Sequence, residues 1–379
     1  MLERTAIYSS EDTLVETDEW NFHGEDTQQH LHSIHPYPAR FIPQIPRKAI
    51  LKWSEPGDTV LDPFCGSGTT LLESILLGRP AIGIDNNAVA CLVSNAKIAQ
   101  YTQGDLNTLL EFCESLRLVI HSDSSEVLIP EYQNLSYWFD AEAINDLGKI
   151  RWKIEQLTDN VKLLAMAVLS AIIVRVSYQD SDTRYSRIIS DYKLGSAVSS
   201  YCSKLETLVK KLGEVINLPK ENADVLNMDT RDLSTIQSGS VKLIVTSPPY
   251  LNAYDYHKYH RHRLHWIDGD VSFARDNEIG KHDVFTRKGA TPSLYFEDME
   301  KCFKEWGRVL KPGGRALIVI GDAIVNKNSV AVADKFIELL VGIGLSFEKR
   351  WIRTLQTNKK SFNQSARMDK EHVLLFEKR

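Results

Sequence analysis

Residues 59–85 constrain this chain more than any other stretch. An apolar run, TVLDPF (59–64), meets CGSGTT and then the helical run LLESILLG, which stops at Gly78. A second apolar run, AIGID (81–85), ends in an acid, and NNAVACLVSNAKIAQY continues as a helix. Strand, glycine loop, helix, strand, helix is how a doubly wound α/β sheet begins.

The same rhythm returns late in the chain. VKLIVTSPPY (241–250) predicts a strand running into a Pro-Pro turn, and 294–310 predicts a helix ending at LKPGG. ALIVIGD (316–322) predicts a strand, 330–342 a helix, and FEKRWIRTL with HVLLFEK a closing strand pair. Residues 251–292 are polar, rich in His and Tyr, and read as a loop. Between the two halves, 101–220 carries helical periodicity at 106–118, 141–157, 161–176 and 195–215, with few strand signals. That is a domain-sized insertion. The expected organisation is therefore a polar segment at 1–31, an α/β domain made of 32–100 and 221–379, and a helical insertion at 101–220. Prolines at 36, 38, 43 and 46 keep the start of the α/β domain from becoming helical before about residue 45.

Composition enters mainly by exclusion. Lys plus Arg is 45 and Asp plus Glu is 50, for a net charge of −5. An overall basic balance is absent, although a local basic face would suffice for nucleic acid. The five cysteines (65, 91, 113, 202 and 302) are scattered, without zinc or disulfide spacing, so no metal is expected and a cytoplasmic setting is the simplest. The first 20 residues are acidic and lack the apolar core of a secretory leader. The most apolar stretch, 163–174, is too short to span a bilayer, so no membrane is expected.

Three motifs carry chemistry. In residues 62–70, DPFCGSGTT, a glycine turn between strand and helix lets a ligand approach the backbone, and the helix N-terminus favours an anionic group. The third glycine of GxGxxG is missing, since position 71 is Leu, and this is no phosphate-cradling GxxxxGK[ST] loop. Asp85, at the end of the second strand, is placed to accept both hydroxyls of a ribose, or else to cap the next helix, a task open also to Asn86 or Asn87. Loop and acid together imply a nucleoside-containing cofactor, either a nicotinamide dinucleotide or S-adenosylmethionine. The third motif is Thr246-Ser247-Pro248-Pro249-Tyr250. Its prolines fix φ and remove two N–H donors, leaving a rigid rim of acceptors, one hydroxyl and one ring.

In these motifs the chain resembles the amino-group DNA methyltransferases over most of 32–100 and 220–379. DPFCGSGTT matches that family's cofactor loop, AIGID its ribose-binding strand, and SPPY its catalytic motif. HPYPARF (35–41) looks like the segment that closes over the methionine end of the cofactor, and RVLKPGGRALIVIGD (308–322) like the later helix–turn–strand. The resemblance implies a Rossmann-like S-adenosylmethionine-dependent methyltransferase sheet. It implies cofactor contacts from Tyr37, Asp62, Phe64, Gly66, Gly68, Thr69, Thr70, Asp85 and Asn86. It also implies an acid near Asp229 on the cofactor's adenine amine, with Asp232 as a rival. Ser247, Pro248, Pro249 and Tyr250 would be catalytic. The Ser247 hydroxyl and Pro248 carbonyl would draw on the protons of an exocyclic amine, and Tyr250 would stack on a base flipped out of the duplex. No Pro-Cys dipeptide is present, which argues against methylation at cytosine C5.

Within the family, Ser in SPPY leans toward cytosine N4, with adenine N6 as the near alternative. RNA base methylation, a non-catalytic DNA-binding subunit and a nicotinamide-dependent oxidoreductase are more distant readings. Double-stranded DNA is the expected partner. A cognate restriction endonuclease or an orphan role fits equally, and oligomeric state stays open. Lys258, Arg261 and Arg263, among aromatics and four histidines in 251–266, are candidates for phosphate contact, and 349–360 is a second basic stretch. The motif order places target recognition in the insertion.

Overall fold

Among the described residues of the computed structural model, eight strands form one sheet. They are β1 (Leu14–Glu16), β2 (Val60–Asp62), β3 (Ala81–Asp85), β4 (Ala223–Asn227), β5 (Val241–Thr246), β6 (Leu310–Ile320), β7 (Leu345–Thr354) and β8 (Lys370–Lys378). Their spatial order is β1-β7-β8-β6-β5-β2-β3-β4. The structure describes residues 14–16, 18–119, 126–217, 221–286, 289–355 and 370–379. Most of the polar segment expected at 1–31 is thereby covered only from 14 onward, and the end of the basic stretch at 349–360 lies outside the described residues.

The strand order reverses at β2. From β2 the chain moves outward through β3 to β4, then returns to place β5 on the other side of β2, all in parallel. β6 continues parallel to β5, whereas β8 runs antiparallel between β6 and β7. In open α/β sheets the ligand crevice lies at such a reversal, outside the carboxyl ends of the strands. Here those ends are Asp62 and Thr246. The N-terminal strand β1 pairs parallel with β7, an edge strand that the polar composition of 1–31 did not suggest.

Helices cover both faces. On one side lie α1 (Gln44–Trp53), α2 (Thr69–Leu76) and α3 (Ala88–Ile98). The insertion supplies α4 (Gln103–Val119), α5 (Ala141–Ile154), α6 (Asp159–Ile172) and α7 (Ser196–Val215). On the other side lie α8 (Ser293–Val309) and α9 (Val332–Gly342). Strand alternation sorts the core: Leu243 and Val245 of β5 join α1 with Trp20, Trp53 and Trp351, whereas Ile244 joins Phe303, Trp306 and Phe336.

The insertion does not keep a core of its own. Leu147, Leu164, Val168, Tyr201 and Leu205 belong to one buried cluster with Leu71, Leu72, Ile75, Val89 and Val93 of α2 and α3. The helices thus form an added layer on the α/β body, and α6, which carries most of the apolar stretch 163–174, is largely buried. A two-stranded hairpin, Gln179–Ser181 with Arg184–Arg187, interrupts the helices where strand signals were scarce. A second departure is the stretch read as loop. It folds into four short helices, Tyr256–Tyr259, Arg261–Trp266, Val271–Asn277 and His282–Thr286. Segments of one or two turns cannot show a helical period, and only tertiary packing stabilises them.

Candidate active site

The glycine loop is held by contacts its own sequence dictates. Gly66 and Gly68 have φ of 49° and 71°, in the left-handed region. At Gly68 a side chain has no room either, because a Cβ would stand 2.7 Å from Ser94 Oγ and 3.0 Å from its Cα. Gly68 and Thr70 therefore shape the loop rather than face a ligand. Thr70 is fully buried, its hydroxyl donating to the Val245 carbonyl at 3.3 Å.

Asp85 faces the loop from the end of β3. Its two oxygens accept from the backbone N–H of Gly66 at 3.0 Å and of Asn87 at 2.9 Å. Burial pushes its pKa up to about 7 despite those two donors, while one side of the residue stays partly exposed. The cap of α3 comes from Asn87, whose side chain accepts from Val89 N at 3.0 Å. Asp85 is not needed as a cap.

Asp62 ties the two motifs together. Its Oδ1 accepts from the Thr246 hydroxyl at 2.7 Å and from Phe64 N at 3.2 Å. Burial pushes this carboxyl up to about 6. Thr246 directly precedes Ser247, so the Pro-Pro turn is locked beside the glycine loop. The turn is also braced from α8, where Tyr295 donates to the Pro249 carbonyl at 2.8 Å.

Loop, acid and turn open on one cleft of about 910 Å³, its open mouth included. Tyr37, Asp62, Phe64, Gly66, Thr69, Asp85, Asn86 and Asp229 line it, together with Ser247 and Pro249. Pro248 and Tyr250 are not on its wall. Pro248 is buried, and the Tyr250 hydroxyl is turned away to donate to Glu371 Oε1 at 2.7 Å. Asp229 reaches the cleft, but its oxygens are engaged by Arg231, whose Nε stands 3.0 and 2.9 Å away.

Other lining residues were not among the expected contacts, although Arg40 and Phe41 end the HPYPARF segment. Arg40 and Phe41 close one side, and Thr230, Tyr256, Asn277 and Glu278 another. The Thr69 and Thr230 hydroxyls are buried and have no hydrogen-bond partner among the described residues. Buried polar atoms are nearly always paired, so two orphans lining one cleft mark it as a place for a polar ligand. No spacing rule would find Thr230 or Glu278: Thr230 merely follows Asp229 beyond β4, and Glu278 reaches the cleft only once the short helices fold over it. Glu278 is held there by accepting from Tyr256 N at 2.7 Å and His257 N at 3.0 Å.

The basic stretch after the Pro-Pro turn departs from its expectation. Arg263 is fully buried, donates to the Ser170 carbonyl at 2.9 Å and pairs with Asp182. It is a core bridge between this segment and the insertion, out of reach of a phosphate. Lys258 is held between Asp255, at 3.0 Å, and Asp283. Arg261 alone of the three is exposed, and its charge lies near Tyr185 of the hairpin. His260 is also buried, and its ring stacks on Tyr37 with centroids 4.8 Å apart. The histidines serve packing and hold the aromatic wall of the cleft.

A family model described as DNA methylase matches residues 3–96 and 241–379. Three type II methyltransferases are similar. M.MjaII of Methanocaldococcus jannaschii is 30% identical over 175 residues, covering 44% of this chain and 32% of that protein. M.MvaI of Kocuria varians is 22% identical over 382 residues, covering 82% and 80%. M.BsoBI of Geobacillus stearothermophilus is 25% identical over 312 residues, covering 73% and 60%. The aligned part thus spans from about a third to four-fifths of these relatives' own length. Among solved structures, a Thermus thermophilus protein complexed with S-adenosyl-L-methionine shares 21% identity at a TM-score of 0.26, over 40% of this chain and 53% of that one. A SAM-dependent methyltransferase of Methanosarcina mazei shares 12% at a TM-score of 0.33, over 87% and 96%.

Proposed function

This chain belongs to the DNA methylase family, and on that premise we propose that it transfers a methyl group from S-adenosylmethionine to the exocyclic N4 amine of cytosine in duplex DNA. One observation carries the reading. The glycine loop, Asp85 and Ser247 open on the same cleft, with the Thr246–Asp62 hydrogen bond holding them together.

The cleft suits the cofactor. Asp85 would accept the ribose hydroxyls, and the backbone around residues 66–69 would meet the methionine carboxylate. The free hydroxyls of Thr69 and Thr230 would find partners, and Tyr37 would cover the methionine end. Each Asp229 oxygen already accepts twice from Arg231, so the adenine amine would have to share or displace one of those contacts. The bound cofactor would supply an electrophilic methyl on a sulfonium.

The protein's own part is to prepare the amine. Its lone pair is delocalised into the base and must be localised on nitrogen before attack. Ser247 Oγ on the cleft wall would accept one amine proton in a hydrogen bond and stabilise the charge that develops there. Holding nitrogen, methyl and sulfur in line contributes the rest. The target base must leave the duplex to reach this depth. Serine in this motif is the reason to place cytosine before adenine.

Recognition is assigned to the insertion at 101–220. Its hairpin lies against the short helices over the cleft, with Arg261 near Tyr185 and Gln179 Nε2 3.5 Å from the Tyr259 carbonyl. Exposed Ile188 and Ile189 follow it, and Arg187 lies over the Tyr137 ring at 4.3 Å. Under this assignment the exposed Tyr137, Ile188 and Ile189 would meet the DNA.

The test is mass spectrometry of nucleosides from methyltransferase-free DNA of many sequences, incubated with the protein and S-adenosylmethionine. N4-methylcytosine is expected. N6-methyladenine would keep the chemistry and correct the base. No modified nucleoside in DNA would overturn the reading, and RNA would be assayed next.

A further inference from the structure

Ser247 is the near end of a hydrogen-bond chain that runs away from the cleft. Its Oγ donates to the Tyr250 hydroxyl at 3.4 Å, and Tyr250 donates to Glu371 Oε1 at 2.7 Å. The other oxygen, Oε2, accepts from Arg353 at 2.7 Å. Glu371 and Arg353 stand directly opposite each other on β8 and β7, and both are buried. Nothing in the chemistry assigned so far uses either of them.

The direction of the chain matters more than its strength. An ionised carboxylate can only accept, so Tyr250 must spend its single proton on Glu371. The Tyr250 oxygen can then only accept, and Ser247 is the group that donates to it. With its one proton committed, the Ser247 hydroxyl turns lone pairs alone toward the cleft. A substrate amine, which arrives with protons, needs that polarity. Reversed, the hydroxyl would aim its own proton at the amine. The first link, at 3.4 Å, is the weaker of the two.

We propose that Glu371, fixed by Arg353, is a positioning residue that acts through Tyr250 to keep Ser247 an acceptor. The proposal deepens the methyltransferase reading and rests on it.

The test uses the full chain, S-adenosylmethionine and duplex DNA from a methyltransferase-free host. Single-turnover rates are measured for Tyr250→Phe, Glu371→Ala, Glu371→Gln and the double variant Tyr250→Phe/Glu371→Ala, with cofactor affinity by calorimetry. Tyr250→Phe and Glu371→Ala should each slow transfer about tenfold, with cofactor affinity unchanged within about twofold. The double variant should be no slower than the slower single variant, because both break one chain. Glu371→Gln keeps a carbonyl acceptor and should recover part of the rate.

A double variant whose losses multiply would overturn the relay, as would a glutamine variant no faster than alanine. So would a loss of cofactor affinity in proportion to rate, the mark of a purely structural ion pair. Should Glu371→Ala fail to fold, Tyr250→Phe decides alone, since it keeps the ring and removes only the hydroxyl. Full activity in that variant sinks the relay and leaves the methyltransferase standing. A wild type that modifies no base takes the methyltransferase reading down together with the relay.

Discussion

The floor and the roof of the cleft are built on different principles. The floor is local sequence at strand ends: the loop at 62–70, Asp85, and the turn after Thr246. Its parts are held by backbone groups and by one buried hydrogen bond between neighbouring strands, Thr246 to Asp62. The roof comes from distant pieces, Tyr37 with the 35–41 segment and Tyr256, Asn277 and Glu278 from the short helices. It stands through ring stacking of Tyr37 on His260 and through the buried Arg263 bridge to Ser170 and Asp182. A floor fixed by backbone geometry suits chemistry that needs close alignment. A roof fixed by side-chain packing suits closure over a ligand.

The comparison can be broken at several points. The largest effect should come from the floor. Ser247→Ala should lower single-turnover methyl transfer by about 100-fold or more, with cofactor affinity nearly intact. Full activity in that variant would place the chemistry elsewhere. Next, Asp85→Ala removes charge-assisted hydrogen bonds and should weaken cofactor binding by roughly 10- to 100-fold in calorimetry. Unchanged affinity would strip Asp85 of the ribose role.

In the roof, Tyr37→Ala should weaken cofactor binding by only about tenfold, as loss of one aromatic wall. A loss larger than that of Asp85→Ala would mean that the roof, and not the floor, dominates cofactor binding.

The pH dependence sharpens the same contrast. Burial raises Asp62 to about 6 and Asp85 to about 7, above the ordinary 3.8. For such groups the protonated form is favoured in the folded chain. Their contribution to ligand-free stability is therefore full below about pH 4 and is lost as pH rises through 6 to 7. Cofactor binding should run the other way, because in the proposed role the ribose hydroxyls would donate to ionised Asp85. Affinity should rise with pH through about 7, and Asp85→Asn should flatten that rise. A wild-type affinity that stays flat across this range would refute the coupling.

The smallest effect concerns DNA. Arg261→Glu should weaken duplex binding and lower its salt slope by about one, the share of a single phosphate contact. Lys258→Ala should change the slope less, since Asp255 and Asp283 already neutralise that charge. Equal slopes for the two variants would mean that the ion pairs open when DNA binds.

Much of this was legible along the chain, for reasons that differ by element. The strand–loop–helix at 59–78 was readable because its apolar runs and glycines act on their immediate neighbours. The insertion's helices were readable because four of them run for 14 to 20 residues, long enough to show a period. The roof was not. Arg263 and His260 look on paper like a phosphate-binding surface, and the burial of that segment depends on Ser170 and Asp182, about 80 to 90 residues earlier. Thr230 bears no motif at all, and its buried, unpartnered hydroxyl is visible only in three dimensions.

By itself, then, the sequence determined the α/β class, the order of the motifs, and the chemistry available at the ends of β2, β3 and β5. Those follow from local steric and hydrogen-bonding preferences, which travel with the residues. Tertiary structure alone decided which groups face the ligand, which charges are already neutralised, and that the insertion shares a core with α2 and α3. It also decided that Tyr250 points to Glu371, 121 residues away in the chain, rather than into the cleft. Burial and pairing are properties of the packed chain, and no local pattern encodes a partner that far along it.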